Sequence, residues 1–139
     1  MKTIFAALAF FCLSFPAQTL QAQTLKDASY RTVAYISQSG RVQDGFYRTI
    51  GYINSSGRIQ NASYKTLGYL NPGGRVQDED YRTLGYINSD GRVQDGSYST
   101  LGYVRRDGLV QDGSYRTIGH ISKVKPKAAA LFYFFGFWR

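Results

Sequence analysis

Apolar and polar residues alternate with a period of two along most of this chain, in short bursts. One kind of burst reads YRTIGYI, as in Tyr47 to Ile53; the other reads RVQD, as in Arg75 to Asp78. Four-residue turns follow the long bursts: SQSG, NSSG, NPGG, NSDG and RRDG. Tighter turns follow the short ones: DGF, NAS, DED and DGS. Bursts rich in Tyr, Thr and β-branched residues, bounded by Gly, Asn and Asp, predict strands joined as hairpins. Gly40, Gly57, Gly74, Gly91 and Gly108 close the longer turns, where a type I turn passes into a left-handed residue. Pro72 stands where such a turn accepts proline. Nothing in these bursts has helical period.

The bursts form a seventeen-residue unit that begins at Tyr30, Tyr47, Tyr64, Tyr81 and Tyr98 without insertion or deletion. A half-unit, YRTIGHIS, starts at Tyr115, and TLKDAS at Thr24 to Ser29 matches the end of a unit. The chain therefore carries five whole units and the two halves of a sixth, giving six long and six short strands. Unpaired strand edges invite aggregation, and closure removes them. The split unit offers the means, by pairing TLKD with the last long strand, Tyr115 to Ile121. The expected fold is all-β: a closed, pseudo-symmetric shallow barrel of tandem hairpin repeats. Strict alternation puts Tyr47, Thr49, Gly51 and Ile53 on one face and Arg48, Ile50 and Tyr52 on the other. Gly51, Gly68, Gly85, Gly102 and Gly119 recur at one position, with Ala34 in the first unit. That ring of small residues predicts a tightly curved sheet, or something packed against its inner wall.

Both ends depart from the repeat. Met1-Lys2 and the apolar run Thr3 to Phe15 read as an export signal, with cleavage expected after Ala22. The run is too short to span a bilayer as a helix. Cys12 is the single cysteine and lies within it, so the mature chain is expected to have no disulfide or thiolate site. The expected organisation is a signal peptide at 1–22, a repeat barrel at 23–122, and a basic linker with an aromatic C-terminal segment at 123–139. Six of the last eight residues are aromatic: Phe132, Tyr133, Phe134, Phe135, Phe137 and Trp138. Together they can bury on the order of 1,000 Å², or roughly 25 kcal/mol of gross transfer energy. Three sites suit such a segment: a plug inside the ring as a short helix, a membrane interface, or a protein partner. The small-residue wall favours the plug.

Charge and candidate chemistry narrow the functional classes. The formal charge of +8 favours anionic partners. Export points away from nucleic acid and leaves lipid and envelope glycan as the partner classes. A reaction needs different groups in different roles, yet almost every polar residue here is a copy. Asp44, Asp78, Asp95 and Asp112 share one position, with Asn61; Arg41, Arg58, Arg75 and Arg92 share another, with Leu109. Such ladders shape turns or pair with one another. Asp78, Glu79 and Asp80 are adjacent in a turn, an arrangement that usually leaves carboxylates solvated. His120 is the single histidine and replaces the tyrosine of the other units. No catalytic residue, metal ligand or cofactor is expected. The candidate binding residues are the repeated tyrosines Tyr35, Tyr52, Tyr69, Tyr86 and Tyr103, which suit stacking on sugars or cationic groups.

The YRTxGYI-xxxG-RVQD unit, the export signal and the alanine-then-aromatic C-terminus resemble the five-fold β-flower family over residues 24 to 139. The resemblance implies a shallow barrel of hairpin petals with an apolar interior. That barrel is likened to the Tubby and scramblase fold, in which a barrel encloses a hydrophobic helix. Ala128 to Trp138 would then be the enclosed segment. The resemblance brings no activity and no site residues. It also leaves open whether the ring has six petals or one terminal pair lies outside a five-fold symmetry.

The expected protein is an exported, non-catalytic scaffold, a structural or protein-interaction module of the bacterial envelope with no transmembrane helix in the mature chain. The periplasm, the outer-membrane surface and the extracellular space all fit. The alternatives are lipid or membrane-surface binding through the aromatic segment, and carbohydrate binding through the tyrosines.

Overall fold

The computed structural model describes residues 23–138, so the expected signal segment at 1–22 lies outside the described residues. Twelve strands follow one another: β1 Thr24–Asp27, β2 Thr32–Ile36, β3 Arg41–Asp44, β4 Thr49–Ile53, β5 Arg58–Asn61, β6 Thr66–Leu70, β7 Arg75–Asp78, β8 Thr83–Ile87, β9 Arg92–Asp95, β10 Thr100–Val104, β11 Leu109–Asp112 and β12 Thr117–Ser122. One helix, α1 Pro126–Phe135, comes last. Each strand pairs antiparallel with its neighbours in sequence, and β1 pairs with β12 to close a barrel. Thr24 lies opposite Ser122 and Lys26 opposite His120. The two halves of the split unit thus meet as expected, and the ring has six petals with no pair left outside it.

Both kinds of turn use one hydrogen-bond plan. The Gly40 N–H donates to the Ser37 carbonyl at 3.0 Å, and the Ser37 N–H donates to the Arg41 carbonyl at 3.0 Å. In the other turn Tyr47 donates to Asp44 at 3.1 Å and Asp44 to Arg48 at 2.9 Å. Each plan ends on a left-handed residue, Gly40 at φ 93° and Tyr47 at φ 66°.

Register corrects the strict alternation of faces. Val42 lies opposite Gly51, but Gln43 lies opposite Thr49, so Ile50 is an extra residue in a β-bulge. The same slip recurs between β5 and β6, β7 and β8, β9 and β10, and β11 and β12. A bulge resets which side chains face inward. Ile50, Leu67, Leu84, Leu101 and Ile118 accordingly pack against the core instead of facing outward with the tyrosines.

The core is thin at the wall and thick at the centre. Each short strand buries one residue fully: Leu25, Val42, Ile59, Val76, Val93 or Val110. The centre is filled by Ala129, Ala130 and Leu131 of α1 and by the aromatic residues that follow. Each of five aromatic rings is seated on one strand glycine. A side-chain carbon at Gly119 would lie 2.6 Å from Tyr133, at Gly102 2.5 Å from Phe134, at Gly85 2.9 Å from Phe135 and at Gly68 2.7 Å from Phe137. At Gly51 it would collide with the Trp138 indole. Phe132 packs against the cluster that holds Ala34, the sixth small position. The helix ends at Gly136, left-handed at φ 64°, which turns the chain so that Phe137 and Trp138 continue round the wall. Sequence alone placed the helix at Ala128 to Trp138; Pro126 at its first turn and Gly136 at its end set the true bounds. The two polar rings each donate to a strand carbonyl: Tyr133 Oη to Lys26 at 2.5 Å and Trp138 Nε1 to Gln60 at 3.1 Å. No helix among the described residues is long and apolar enough to cross a membrane.

Two outcomes follow from this packing. Gly102→Val puts three carbons where the Phe134 ring and the Gln111 carbonyl already sit. The variant should lose about 3 kcal/mol in chemical denaturation; an unchanged midpoint would show that the ring is not seated on the wall. Burial pushes the Tyr133 phenol up to about 12, above the value near 10 of an unfolded tyrosine. Its neutral form is the one the fold favours. The contribution is therefore fully present below pH 10 and is lost as pH rises through about 12. Tyr133→Phe should flatten the fall in denaturation midpoint over that window, and a curve parallel to the parent's would contradict the assignment.

Candidate functional site

The strand tyrosines flagged by the sequence project from the middle of the long strands, half-buried on the outer face. Each is covered by the turn tyrosine of the next unit. Tyr35 stacks on Tyr47 with ring centroids 4.5 Å apart and planes inclined by 14°. Tyr52 on Tyr64, Tyr69 on Tyr81 and Tyr86 on Tyr98 repeat this at 4.7 Å, and Tyr103 on Tyr115 at 5.0 Å. The sixth stack is His120 on Tyr30, at 3.9 Å and 13°. The histidine thus keeps the aromatic face of the residue it replaces. In four stacks the hydroxyls also hydrogen-bond, at 3.0–3.2 Å. That bond pushes the phenols of Tyr35, Tyr52, Tyr86 and Tyr103 above the ordinary tyrosine value.

Sequence reasoning found one member of each of the five tyrosine pairs and missed the other, and it flagged neither Tyr30 nor His120 of the sixth stack as a binding residue. The partners lie twelve residues apart, and unbroken alternation sent the turn tyrosine to the opposite face. A signal was present: each turn tyrosine stands where this turn plan normally takes glycine. Tyr30, Tyr47, Tyr64, Tyr81, Tyr98 and Tyr115 all have φ between 66° and 68°. A left-handed residue with a side chain costs roughly 1–2 kcal/mol.

Three local devices hold that conformation. The stack contributes about 0.5–1.5 kcal/mol. Beneath it, the Gln43 amide donates to the Tyr47 carbonyl at 2.9 Å, and Gln60, Gln77, Gln94 and Gln111 do the same for Tyr64, Tyr81, Tyr98 and Tyr115. The aspartate ladder ties the turn itself. Asp44 accepts from the Phe46 and Arg48 backbone at 2.8 and 3.0 Å and from the Arg48 guanidinium at 2.8 Å. Donation from the Arg31 and Arg116 backbone holds the Asp27 and Asp112 carboxyls below their usual value. Asn61 and Asp95 make the same backbone bonds. The ladder therefore shapes turns. Asp80 sits 3.4 Å from Arg82, exposed, with Asp78 spent on the turn.

The arrangement is a belt of six aromatic stacks around the barrel. Arg41, Arg58, Arg75 and Arg92 lie opposite Tyr52, Tyr69, Tyr86 and Tyr103 across the strands, and Arg105 lies 4.6 Å over the Tyr103 ring. The turn tyrosines are about 60% exposed, so the outer face of each stack meets solvent. Flat aromatic faces beside guanidinium groups can hold a sugar ring or a protein surface. Among the described residues no group of three or more His, Cys, Asp or Glu is placed to hold a metal ion. Phe132, Tyr133, Phe134, Phe135, Phe137 and Trp138 take no part in the belt, since they pack against the barrel core.

Comparison with protein families matches residues 22–137 to the family described as "5-fold beta-flower protein". Neither a curated protein nor a solved structure matches the chain.

The strained tyrosines make a paired test of the belt. Tyr81→Gly removes the stack but also the backbone strain, so its stability should stay within about 1 kcal/mol of the parent. Tyr81→Val keeps the strain and adds a β-branch at positive φ, and should lose about 2–3 kcal/mol. Equal denaturation midpoints for the two variants would show that the tyrosine backbone is not strained.

Proposed function

We propose that this chain, which belongs to the 5-fold β-flower family, is an exported, non-catalytic scaffold of the bacterial envelope that engages a protein partner through its tyrosine belt. The observation that carries the reading is the belt itself. Six exposed aromatic stacks are held at a backbone cost that glycine would avoid. Strain maintained against a cheaper alternative marks residues kept for what their side chains do. Tyrosine and arginine are also the residues that dominate protein interfaces, because they bring large contact area at low entropic cost. Export rests on the charged start and apolar run of residues 1–22.

A carbohydrate reading is favoured by one feature, the regular repetition of the stacks, which suits a polymer of repeating units. Membrane binding through the aromatic segment is not favoured, because those rings are seated inside the barrel.

The test uses protein recovered from the cell envelope, whose N-terminus should be Gln23. A photo-crosslinking amino acid at position 98 should give one discrete adduct with an envelope protein. Adduct formation through a probe at position 63 should disappear when Tyr64, Tyr81 and Tyr98 are changed to glycine together. Binding to a glycan array without any protein adduct would replace this reading by the carbohydrate one. Adducts that survive the triple substitution would remove the belt from either.

A further inference from the structure

The belt is six-fold, but the opposite rim of the barrel is not. There the turns 37–40 and 54–57 and residues Asn71 and Pro72 face the linker into α1 across a cavity of about 550 Å³. That size suits a small-molecule site. The buried Ile36 and the half-buried Ile53, Leu70 and Ala128 form an apolar floor. Ser37, Ser39, Asn54 and Asn71 supply hydroxyls and amides above it. Lys123, Lys125 and Lys127 complete the lining.

Three further facts set this place apart. The flanking turns SQSG, NSSG and NPGG contain no acid, whereas the two turns outside the cavity carry Asp90 and Asp107. No carboxylate among the described residues ion-pairs with the three lysines, although four of the arginines in the repeats have aspartate partners. Lys123 is held left-handed at φ 61°, the one such non-glycine residue outside the tyrosine series among the described residues. Three ammonium groups gathered over an apolar floor, with no ion-pair partner among the described residues, are complementary to a molecule that is anionic at one end and apolar at the other.

We propose that this cavity binds a single-chain anionic amphiphile, an alkyl chain bearing a phosphate or carboxylate, with the chain on Ile36, Ile53 and Leu70 and the acidic head between Lys123, Lys125 and Lys127. The site is separate from the belt and does not depend on its function. The positive end of α1 opens at the same rim and adds to the attraction for the head.

Calorimetric titration of the purified protein with monomeric dodecyl phosphate, below its micelle concentration, tests the proposal. One molecule should bind per chain. Dodecyl maltoside and inorganic phosphate should each bind at least about tenfold more weakly, since each offers half of the complementarity. Dodecanoate should bind comparably to dodecyl phosphate. The triple variant Lys123→Gln, Lys125→Gln, Lys127→Gln should keep its circular dichroism and melting temperature and lose about tenfold or more in affinity. A control that removes three charges elsewhere, Lys65→Gln, Arg82→Gln, Arg116→Gln, should bind like the parent. Inorganic phosphate binding as tightly as dodecyl phosphate would reduce the place to a simple anion site and overturn the proposal. So would maltoside binding equally, a triple lysine variant of undiminished affinity, or uptake seen only with anionic vesicles.

Discussion

The structure depends on the seating of the aromatic C-terminal segment against a wall stripped of side chains. The strands are short, four to six residues each, and the one Val, Ile or Leu that each short strand buries is too small to fill a twelve-stranded ring. Something else must occupy the centre, because an apolar void leaves its lining without dispersion partners. Five planar rings do so, and they reach the wall only where a Cβ is missing. The same glycines also lie against carbonyl oxygens of the adjoining short strands: Gln60, Gln77, Gln94, Gln111 and Lys26. One residue type thus answers two demands, the tight curvature of the sheet and the approach of the plug. Tyr133 and Trp138 bring polar atoms into this interior without penalty, because each donates to one of those carbonyls.

Closure and filling reinforce one another. Without β1 against β12 the ring would open and the wall would no longer surround the segment. Without the segment, the closed ring would enclose a space its own side chains cannot fill. The order of the rings follows the order of the petals. From Tyr133 to Trp138 the aromatics meet Gly119, Gly102, Gly85, Gly68 and Gly51, each one unit earlier in the sequence. Gly136 makes this possible by ending the helix where two rings remain to be placed.

Periodic features were legible in the sequence and local slips were not. The unit length, the split sixth unit, the glycine ring and the apolar tail are each visible as repetition or composition, and together they imply a closed and plugged barrel. The outer face was half legible. Tyr52 stands out as an outward residue of a strand, but Tyr64 belongs to it only because a left-handed turn and a bulge fold the next unit back onto it. A period-two reading assumes no slip, and one extra residue such as Ile50 or Leu67 is enough to exchange the faces on either side of it. His120 was read as a replaced tyrosine, which is correct by position; its partner Tyr30 lies ninety residues away in sequence and meets it only through closure. The lysine-lined rim was invisible for the same reason, since residues 37–72 and 123–128 come together only after the ring has closed.

Symmetry divides the molecule into two kinds of surface. Repetition gives the belt six near-equivalent stacks, and equivalent sites add avidity without distinguishing one small ligand from another. Discrimination needs unlike groups placed around one point, which a strict repeat cannot supply. The chain acquires such a point where the repeat stops. At the rim reached by Lys123, three acid-free turns, an apolar floor and three lysines with no ion-pair partner among the described residues face one space, while acids stay on the turns outside it. One carboxylate beside the lysines would offset much of the attraction that three ammonium groups provide, so the absence of acids from the turns at this rim is what leaves it complementary to an anion.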